Sequence, residues 1–135
     1  MAPGSSWGTI RSPEPRLEQV LLPYKHEFEV AVPEGVAVHG YVLSYEIWNA
    51  FVRVNIALID TPLGSIHDRP ALRLADGSDA RLVQGNGGGG ERFSALSASF
   101  ARPAPQTVTL GLGGGMLGKP DGKVSFTPVM ELEIP

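Results

Sequence analysis

Glycine and proline interrupt this chain at short intervals, and this feature limits the possible fold more than any other. The 135 residues include 17 glycines and 12 prolines, which lie between apolar runs and follow no fixed period. Both residue types weaken or end helices, and no apolar run keeps helical spacing for longer than two turns. The sequence therefore predicts many short strands joined by turns.

Several segments alternate apolar and polar residues, as strands with one buried face do. The apolar positions predicted to share a face within each segment are Phe28, Val30 and Val32; Val52, Val54, Ile56 and Leu58; Leu96, Ala98 and Phe100; Val108, Leu110 and Leu112; and Met130, Leu132 and Ile134. We predict an all-β fold, a single antiparallel β-sandwich of immunoglobulin-like type with about seven to nine strands.

The chain is long enough for one domain, because two separate cores would each be small. Residues 1–15 contain three prolines and little apolar periodicity, so they are predicted to form a flexible, disordered N-terminal arm. Residues 16–135 are predicted to form the β-sandwich domain. Within it, "LEQVLLPY" is compatible with either a short helical turn or an edge strand ended by Pro23.

The most apolar span runs from Val36 to Ile59, and it carries charged and amide side chains that are costly in a membrane. We interpret it as a hairpin turning at Trp48 to Ala50, with a bulge inside one continuous strand as the alternative. The side chains predicted to share a face in the first arm are Tyr41, Leu43, Tyr45 and Ile47.

Turn residues suggest the connections that follow. "TPLGSIHDRP" (61–70) is predicted to be a loop, and the Asp76–Gly77 pair in "ALRLADGSDARLV" predicts a short hairpin. The glycine run in "VQGNGGGGERF" is predicted to be a flexible loop joining two strands. A second cluster, Gly111 to Lys123, matches phosphate-loop spacing, but Pro120 replaces the hydroxyl residue and no helix follows, so we treat the match as accidental.

No pattern of catalytic or metal-binding residues stands out. The chain has no cysteine, and its three histidines lack the spacing typical of metal ligands. Asp76, Ser78 and Asp79 could supply oxygen atoms to calcium, but an Asp-Gly turn explains them more simply. No serine lies in a nucleophile motif. We predict a protein that is not an enzyme and has no cofactor and no metal site.

The formal net charge of −3, without a basic stripe, argues against nucleic acid as a partner. The first residues also lack the apolar core of a signal peptide. We therefore predict a cytoplasmic protein with no membrane partner.

The stretch from Ala71 to Leu112 resembles small immunoglobulin-like β-sandwich domains of unknown function from high-GC bacteria. The features that carry this resemblance are the Asp76–Gly77 turn, the run Gly87 to Gly90, Phe100, the turn with Pro103 and Pro105, and Leu110. The resemblance implies a sandwich fold and brings no catalytic residues.

The predicted function is a non-catalytic protein-interaction or assembly module, whose partner is another protein chain or a second copy in a homo-oligomer. The alternative is a ligand-binding module for carbohydrate, with or without calcium, that uses the loops at one end of the sandwich. The residues predicted to form the interaction surface are Trp48, Asn49, Asp76, Asp79, Asn86 and Glu91.

Overall fold

The computed structural model describes residues 14–31, 37–60, 68–114 and 125–135, and in these ranges the chain forms nine strands and no helix. In chain order the strands are β1 (Leu17–Leu21), β2 (Glu27–Ala31), β3 (Ala37–Trp48), β4 (Phe51–Ile59), β5 (Asp68–Arg73), β6 (Leu82–Gly89), β7 (Phe93–Ala101), β8 (Gln106–Gly114) and β9 (Ser125–Ile134). The all-β prediction is confirmed.

The strands form two antiparallel sheets. The larger sheet has the order β1-β3-β4-β7-β6, and β2 joins it by pairing with β3. β1 and β2 lie along the same edge of β3, one against its last residues and the other against its first. The smaller sheet has the order β5-β8-β9. β6 therefore lies alone at the far edge of the larger sheet.

Side chains from both sheets share one hydrophobic core. Its largest fully buried members include Phe100, Ile47 and Ile56 from the larger sheet and Leu72, Leu110 and Leu132 from the smaller one. A partly buried hydrogen bond also joins the sheets, because the Tyr45 hydroxyl donates to the Glu133 carbonyl at 2.9 Å. Below, the outer face is the face of the larger sheet turned away from this core.

Four of the predicted strand faces agree with the observed core. These are the faces of β4, β7, β8 and β9. Two of their predicted residues, Leu96 and Met130, are partly exposed and pack against the core. The others are buried: Val52, Val54, Ile56, Leu58, Ala98, Phe100, Val108, Leu110, Leu112, Leu132 and Ile134. In β2, Phe28 is buried and Val30 partly buried, whereas Val32 lies outside the described residues. Strict alternation is what made these faces predictable.

The hairpin between β3 and β4 turns at Asn49 and Ala50, as predicted. The face predicted for β3 is wrong in its first half, because the register shifts between Val42 and Ser44. Leu43 is 48% exposed, and the positions that are buried before the shift are Val38, Gly40 and Val42. A bulge is therefore present in addition to the turn, and it reverses the alternation.

The hairpin predicted at Asp76–Gly77 forms over a few residues only. Arg73 and Asp79 form an antiparallel bridge, and Ala80 donates its amide to the Leu72 carbonyl at 2.9 Å. The chain then leaves β5 in the smaller sheet and continues into β6 in the larger one. The loop predicted at 61–70 is wrong at its end, because β5 already begins at Asp68; residues 61–67 lie outside the described ranges.

The glycine run predicted to be a loop is largely a strand. Gly85 to Gly89 belong to β6, and the chain turns only at residues 90–92. "LEQVLLPY" forms the edge strand β1, so the strand alternative is the correct one for this segment. The part of the predicted arm before Glu14 and most of the second glycine cluster, residues 115–124, lie outside the described residues.

Candidate interaction edge of the larger sheet

β6 is an edge strand with no side chain in the core. All eight of its residues, Leu82–Gly89, are exposed, and β7 is its partner in the sheet. Its sequence is LVQGNGGG, so half of its residues contribute no side chain. A strand usually forms because its side chains pack on a neighbouring surface. β6 instead stays in the sheet through its main-chain ladder with β7.

The direction of the main-chain groups of β6 follows from its ladder. Gly90 donates its amide to the Phe93 carbonyl at 2.8 Å, and the pairing then continues in steps of one residue from Gly89↔Ser94 to Gln84↔Ser99. Hydrogen-bonded and non-bonded pairs alternate along an antiparallel ladder. Since Gly90 is bonded to β7, so are Gly88, Asn86 and Gln84, and the residues between them are not. The amide and carbonyl groups of Gly85 and Gly87 therefore face away from β7, towards the open edge.

β6 lacks most of the features that protect sheet edges from other strands. Such features are charged side chains, proline, bulges and short length. β6 has eight residues with no charge and no proline, and its one register shift, between Leu82 and Gln84, leaves Gln84 to Gly89 regular. The other edges of the two sheets do carry them: Glu18 and a register shift in β1, Glu27 and Glu29 in β2, Pro70 and Arg73 in β5, and Pro128, Glu131 and Glu133 in β9.

Exposed apolar side chains lie at both ends of this open edge. Leu82 and Val83 at the start of β6 are 40% and 49% exposed, and Phe93 at the start of β7 is 53% exposed. Because β6 and β7 run antiparallel, the first two lie at one end of β6 and Phe93 lies beside its other end. We use the name β6 edge for Leu82–Gly89 together with Phe93.

The outer face next to this edge is polar and internally bonded. Asn55 donates its amide to Ser44 Oγ at 3.1 Å and to Glu46 Oε2 at 2.9 Å, and Arg53 Nε donates to Ser99 Oγ at 3.2 Å. Trp48 donates its indole N–H to Glu46 Oε1 at 2.8 Å. These bonds run across β3, β4 and β7 and fix the side chains of this face.

Trp48 and Asn49, both predicted interaction residues, have partners within the chain. The Trp48 ring stacks on Phe51 with centroids 5.2 Å apart, and the Arg53 guanidinium lies 5.6 Å from its centroid. Asn49 accepts a hydrogen bond from the Arg16 amide at 3.0 Å and donates one to the Glu14 carbonyl at 2.9 Å. Both side chains therefore hold the end of the β3–β4 hairpin together.

An exposed ion pair extends this hairpin end. Arg102 donates to Glu18 Oε1 at 2.8 Å and to the Trp48 carbonyl at 3.1 Å. The hydrogen bond from Arg102 is the main cause that lowers the pKa of the Glu18 carboxyl. That carboxyl is exposed to solvent, so this bond orders the surface more than it stabilises the fold.

Asp76 and Asp79, also predicted interaction residues, stabilise the turn between β5 and β6. Asp76 Oδ1 accepts hydrogen bonds from the Ser78 hydroxyl at 2.6 Å and the Ser78 amide at 2.9 Å, and these bonds lower the pKa of Asp76. Asp79 Oδ1 accepts from Arg73 Nε at 3.0 Å. No group of three or more metal-ligating side chains that could hold an ion occurs among the described residues.

Asn86 and Glu91 are the predicted residues that lie at or beside the β6 edge. Asn86 is exposed in the middle of β6 and pairs with Ser97, which places its side chain on the outer face. Glu91 is exposed in the turn that follows. The other four predicted residues lie elsewhere: Trp48 and Asn49 at the end of the β3–β4 hairpin, and Asp76 and Asp79 in the turn between β5 and β6. The six residues therefore do not form one site.

Sequence reasoning did not identify Gly85 and Gly87 as functional candidates. One signal was available, because residues 82–90 contain no charge and no proline, although Arg81 and Glu91 flank them. Interpreted as a loop, that stretch has an ordinary composition. Interpreted as a strand, it is an unprotected edge.

The described residues contain no helix long and apolar enough to cross a membrane. Comparison of the chain with protein-family models, with curated proteins and with solved structures finds no match.

Proposed function

We propose that this chain is a non-catalytic protein-interaction module with an immunoglobulin-like sandwich fold, and that the β6 edge accepts an extended strand from another protein chain. The observation that carries the proposal is the eight-residue exposed edge strand without charge or proline. Such an edge offers a row of main-chain donors and acceptors to an incoming strand. Each hydrogen bond formed there contributes about 0.5–1.5 kcal/mol.

The glycines of β6 support this proposal, because the fold does not need them all for its own packing. A Cβ atom added at Gly85 or Gly88 meets nothing within 4 Å. Glycine in a strand costs about 0.5–1 kcal/mol relative to alanine. Glycine within a strand often marks a place where another backbone approaches closely. Packing within the isolated chain therefore does not account for Gly85 or Gly88.

The shape of the edge favours a strand over a small molecule. Small-molecule sites are concave and enclose most of the ligand. β6 instead presents an exposed row of main-chain groups, in which those of Gly85 and Gly87 face outward from every second position. This spacing fits the repeat of an extended polypeptide.

The alternative, a carbohydrate module with or without calcium, remains a prediction without a specific observation in its favour. Trp48, Asp76 and Asp79 all have hydrogen-bond partners within the chain. Thermal unfolding with and without calcium tests this alternative, because a ligand that binds the folded state raises the apparent stability. A clear upward shift of Tm with calcium would favour it over the strand-binding proposal.

The test of strand binding uses site-specific photo-cross-linking in the cells that contain the protein. A photo-reactive amino acid replaces Val83 at the β6 edge or, as a control, Tyr24, which is 95% exposed next to the opposite edge. Each version is combined with Gly85→Pro or Gly85→Ala. Proline removes the outward amide while leaving the bonds to β7, and alanine keeps that amide.

We expect a cross-linked protein chain from position 83 that is retained with Gly85→Ala and lost with Gly85→Pro. Position 24 should not give the same product. The proposal is wrong if position 83 gives no cross-link, or if the cross-link is equally strong in the proline variant.

A further inference from the structure

We infer that the strand accepted by the β6 edge is β6 of a second copy of this chain, paired antiparallel about a twofold axis at Asn86. This inference rests on the proposed function, since it names the partner of the same edge. Closed twofold dimers are the commonest oligomers, and they need a surface that is complementary to itself. The β6 edge has that property in its main chain, its charge and its side chains.

The main chain restricts the register. Gly85 and Gly87 direct their amide and carbonyl groups outward, so in a bonded pair each must lie opposite another outward-facing residue. Placing Gly85 of one copy opposite Gly87 of the second copy satisfies both pairs at once. The twofold axis then passes between the two Asn86 residues, near the middle of the eight-residue strand.

The side chain on the axis is compatible with its own image. A primary amide carries both donors and an acceptor, so two Asn86 side chains can bond to each other, whereas two identical charges would repel. Opposite residues in a non-bonded antiparallel pair have Cα atoms about 4.5 Å apart. Asn86 is exposed on the outer face, where its partner in β7 is the small residue Ser97.

The ends of the edge are also complementary. Antiparallel pairing in this register places Leu82 and Val83 of one copy opposite Gly90 and Gly89 of the second copy. These glycines lie beside Phe93, which is 53% exposed. Leu82 and Val83 of each copy therefore lie against glycines of the other copy, next to the exposed Phe93 ring. The twofold axis produces this contact twice.

A different protein strand fits less well than a second copy. Strand addition obtains specificity from pockets for alternate side chains of the guest. Gly85, Gly87, Gly88 and Gly89 leave the β6 edge without such pockets over most of its length. The edge therefore favours a flat, small-residue strand, and β6 is itself such a strand.

The test uses the absence of cysteine from the chain. Asn86→Cys places one thiol on the axis, within the Cα distance of about 4.4–6.8 Å that a disulfide needs. Gln84→Cys is the matched control. It is exposed on the same strand and the same face, but its two copies lie about four residues apart along the strands, about 13 Å.

Under mild oxidation we expect Asn86→Cys to form a disulfide-linked dimer at least about ten times faster than Gln84→Cys, because only the first pair meets the distance requirement. Light scattering of the unaltered chain should give twice the monomer mass, and Gly85→Pro should reduce it to the monomer while Gly85→Ala does not. Thermal unfolding of each variant checks that it is folded. Equal cross-linking of the two cysteine variants, or a monomer at all concentrations, overturns the inference.

The two proposals fail in different ways. A monomeric chain whose position 83 still cross-links to a different protein, in a manner lost with Gly85→Pro, overturns the twofold pairing and supports strand binding. A monomeric chain with no such cross-link overturns both.

Discussion

At the scale of single residues, Gly40 is a position where the fold excludes any side chain. A Cβ atom there overlaps the Ala57 carbonyl oxygen and lies 2.9 Å from Phe28 Cζ and 3.0 Å from Leu58 Cδ2. The first contact is backbone and the others are core atoms, so none can move freely. We expect Gly40→Ala to lower the free energy of unfolding by about 1–3 kcal/mol in urea denaturation.

Gly85→Ala is the matched control for this prediction. Its Cβ atom meets nothing within 4 Å, so the same chemical change should leave stability unaltered or raise it by about 0.4–1 kcal/mol. Equal losses of stability in the two variants would contradict the close packing described around Gly40.

The six predicted interaction residues show what residue type alone can reveal. Trp48, Asn49, Asp76 and Asp79 were chosen because aromatic and polar side chains at turns often bind partners, and each has partners within the chain. Asn86 lies on the β6 edge. The outward groups of the neighbouring glycines are main-chain atoms, and no side chain in the sequence indicates them.

At the scale of strands, the sequence predicted those elements whose side chains alternate. β4, β7, β8 and β9 each bury one face against the core, and their patterns were sufficient. β6 could not be found in this way, because its residues bury nothing. The Asp76–Gly77 turn was recognised, but turn chemistry is local and does not say which sheet the next strand will join.

The hairpin between β6 and β7 depends on the conformation of Gly89. Its φ is +145°, and a Cβ atom there overlaps the Phe93 carbonyl oxygen and lies 2.6 Å from Ser94 Cα. We expect Gly89→Ala to lower the free energy of unfolding by about 1–3 kcal/mol. The neighbouring Gly90→Ala, whose Cβ meets nothing within 4 Å, should change it by less than about 1 kcal/mol.

Urea denaturation of both variants measures this difference. If the glycine run were a loop without fixed structure, the two substitutions would have similar, small effects. That result would contradict the strand assignment of residues 85–89.

At the scale of the whole molecule, the contact between the two sheets includes one titratable group. Tyr45 in the larger sheet donates to the Glu133 carbonyl in the smaller one at 2.9 Å. Burial raises the pKa of Tyr45 above its ordinary value of 10.0. The folded chain therefore holds this proton more tightly than the unfolded chain. The resulting stability is complete below the unfolded pKa and is lost as the pH rises through the folded pKa.

We expect Tyr45→Phe to reduce the alkaline loss of stability. At neutral pH the variant should be less stable by about 0.5–1.5 kcal/mol, because the hydrogen bond between the sheets is removed. Urea denaturation at neutral pH and at several values above the ordinary tyrosine pKa tests both effects. The same alkaline slope in the variant and the unaltered chain would show that the Tyr45 hydroxyl does not carry it.

The proposed pairing of two copies also predicts how the whole molecule responds to salt. β6 carries no charge, and its pairing forms main-chain hydrogen bonds and apolar contacts, which salt screens little. The net charge of −3 on each copy adds only a weak repulsion over the distance between two domains. The dissociation constant of the dimer should therefore change by less than about twofold between low and physiological ionic strength. Light scattering over a dilution series at each ionic strength measures this constant. A dimer that dissociates as salt increases would be held by ion pairs between the two copies, and the uncharged pairing of β6 would then be the wrong interface.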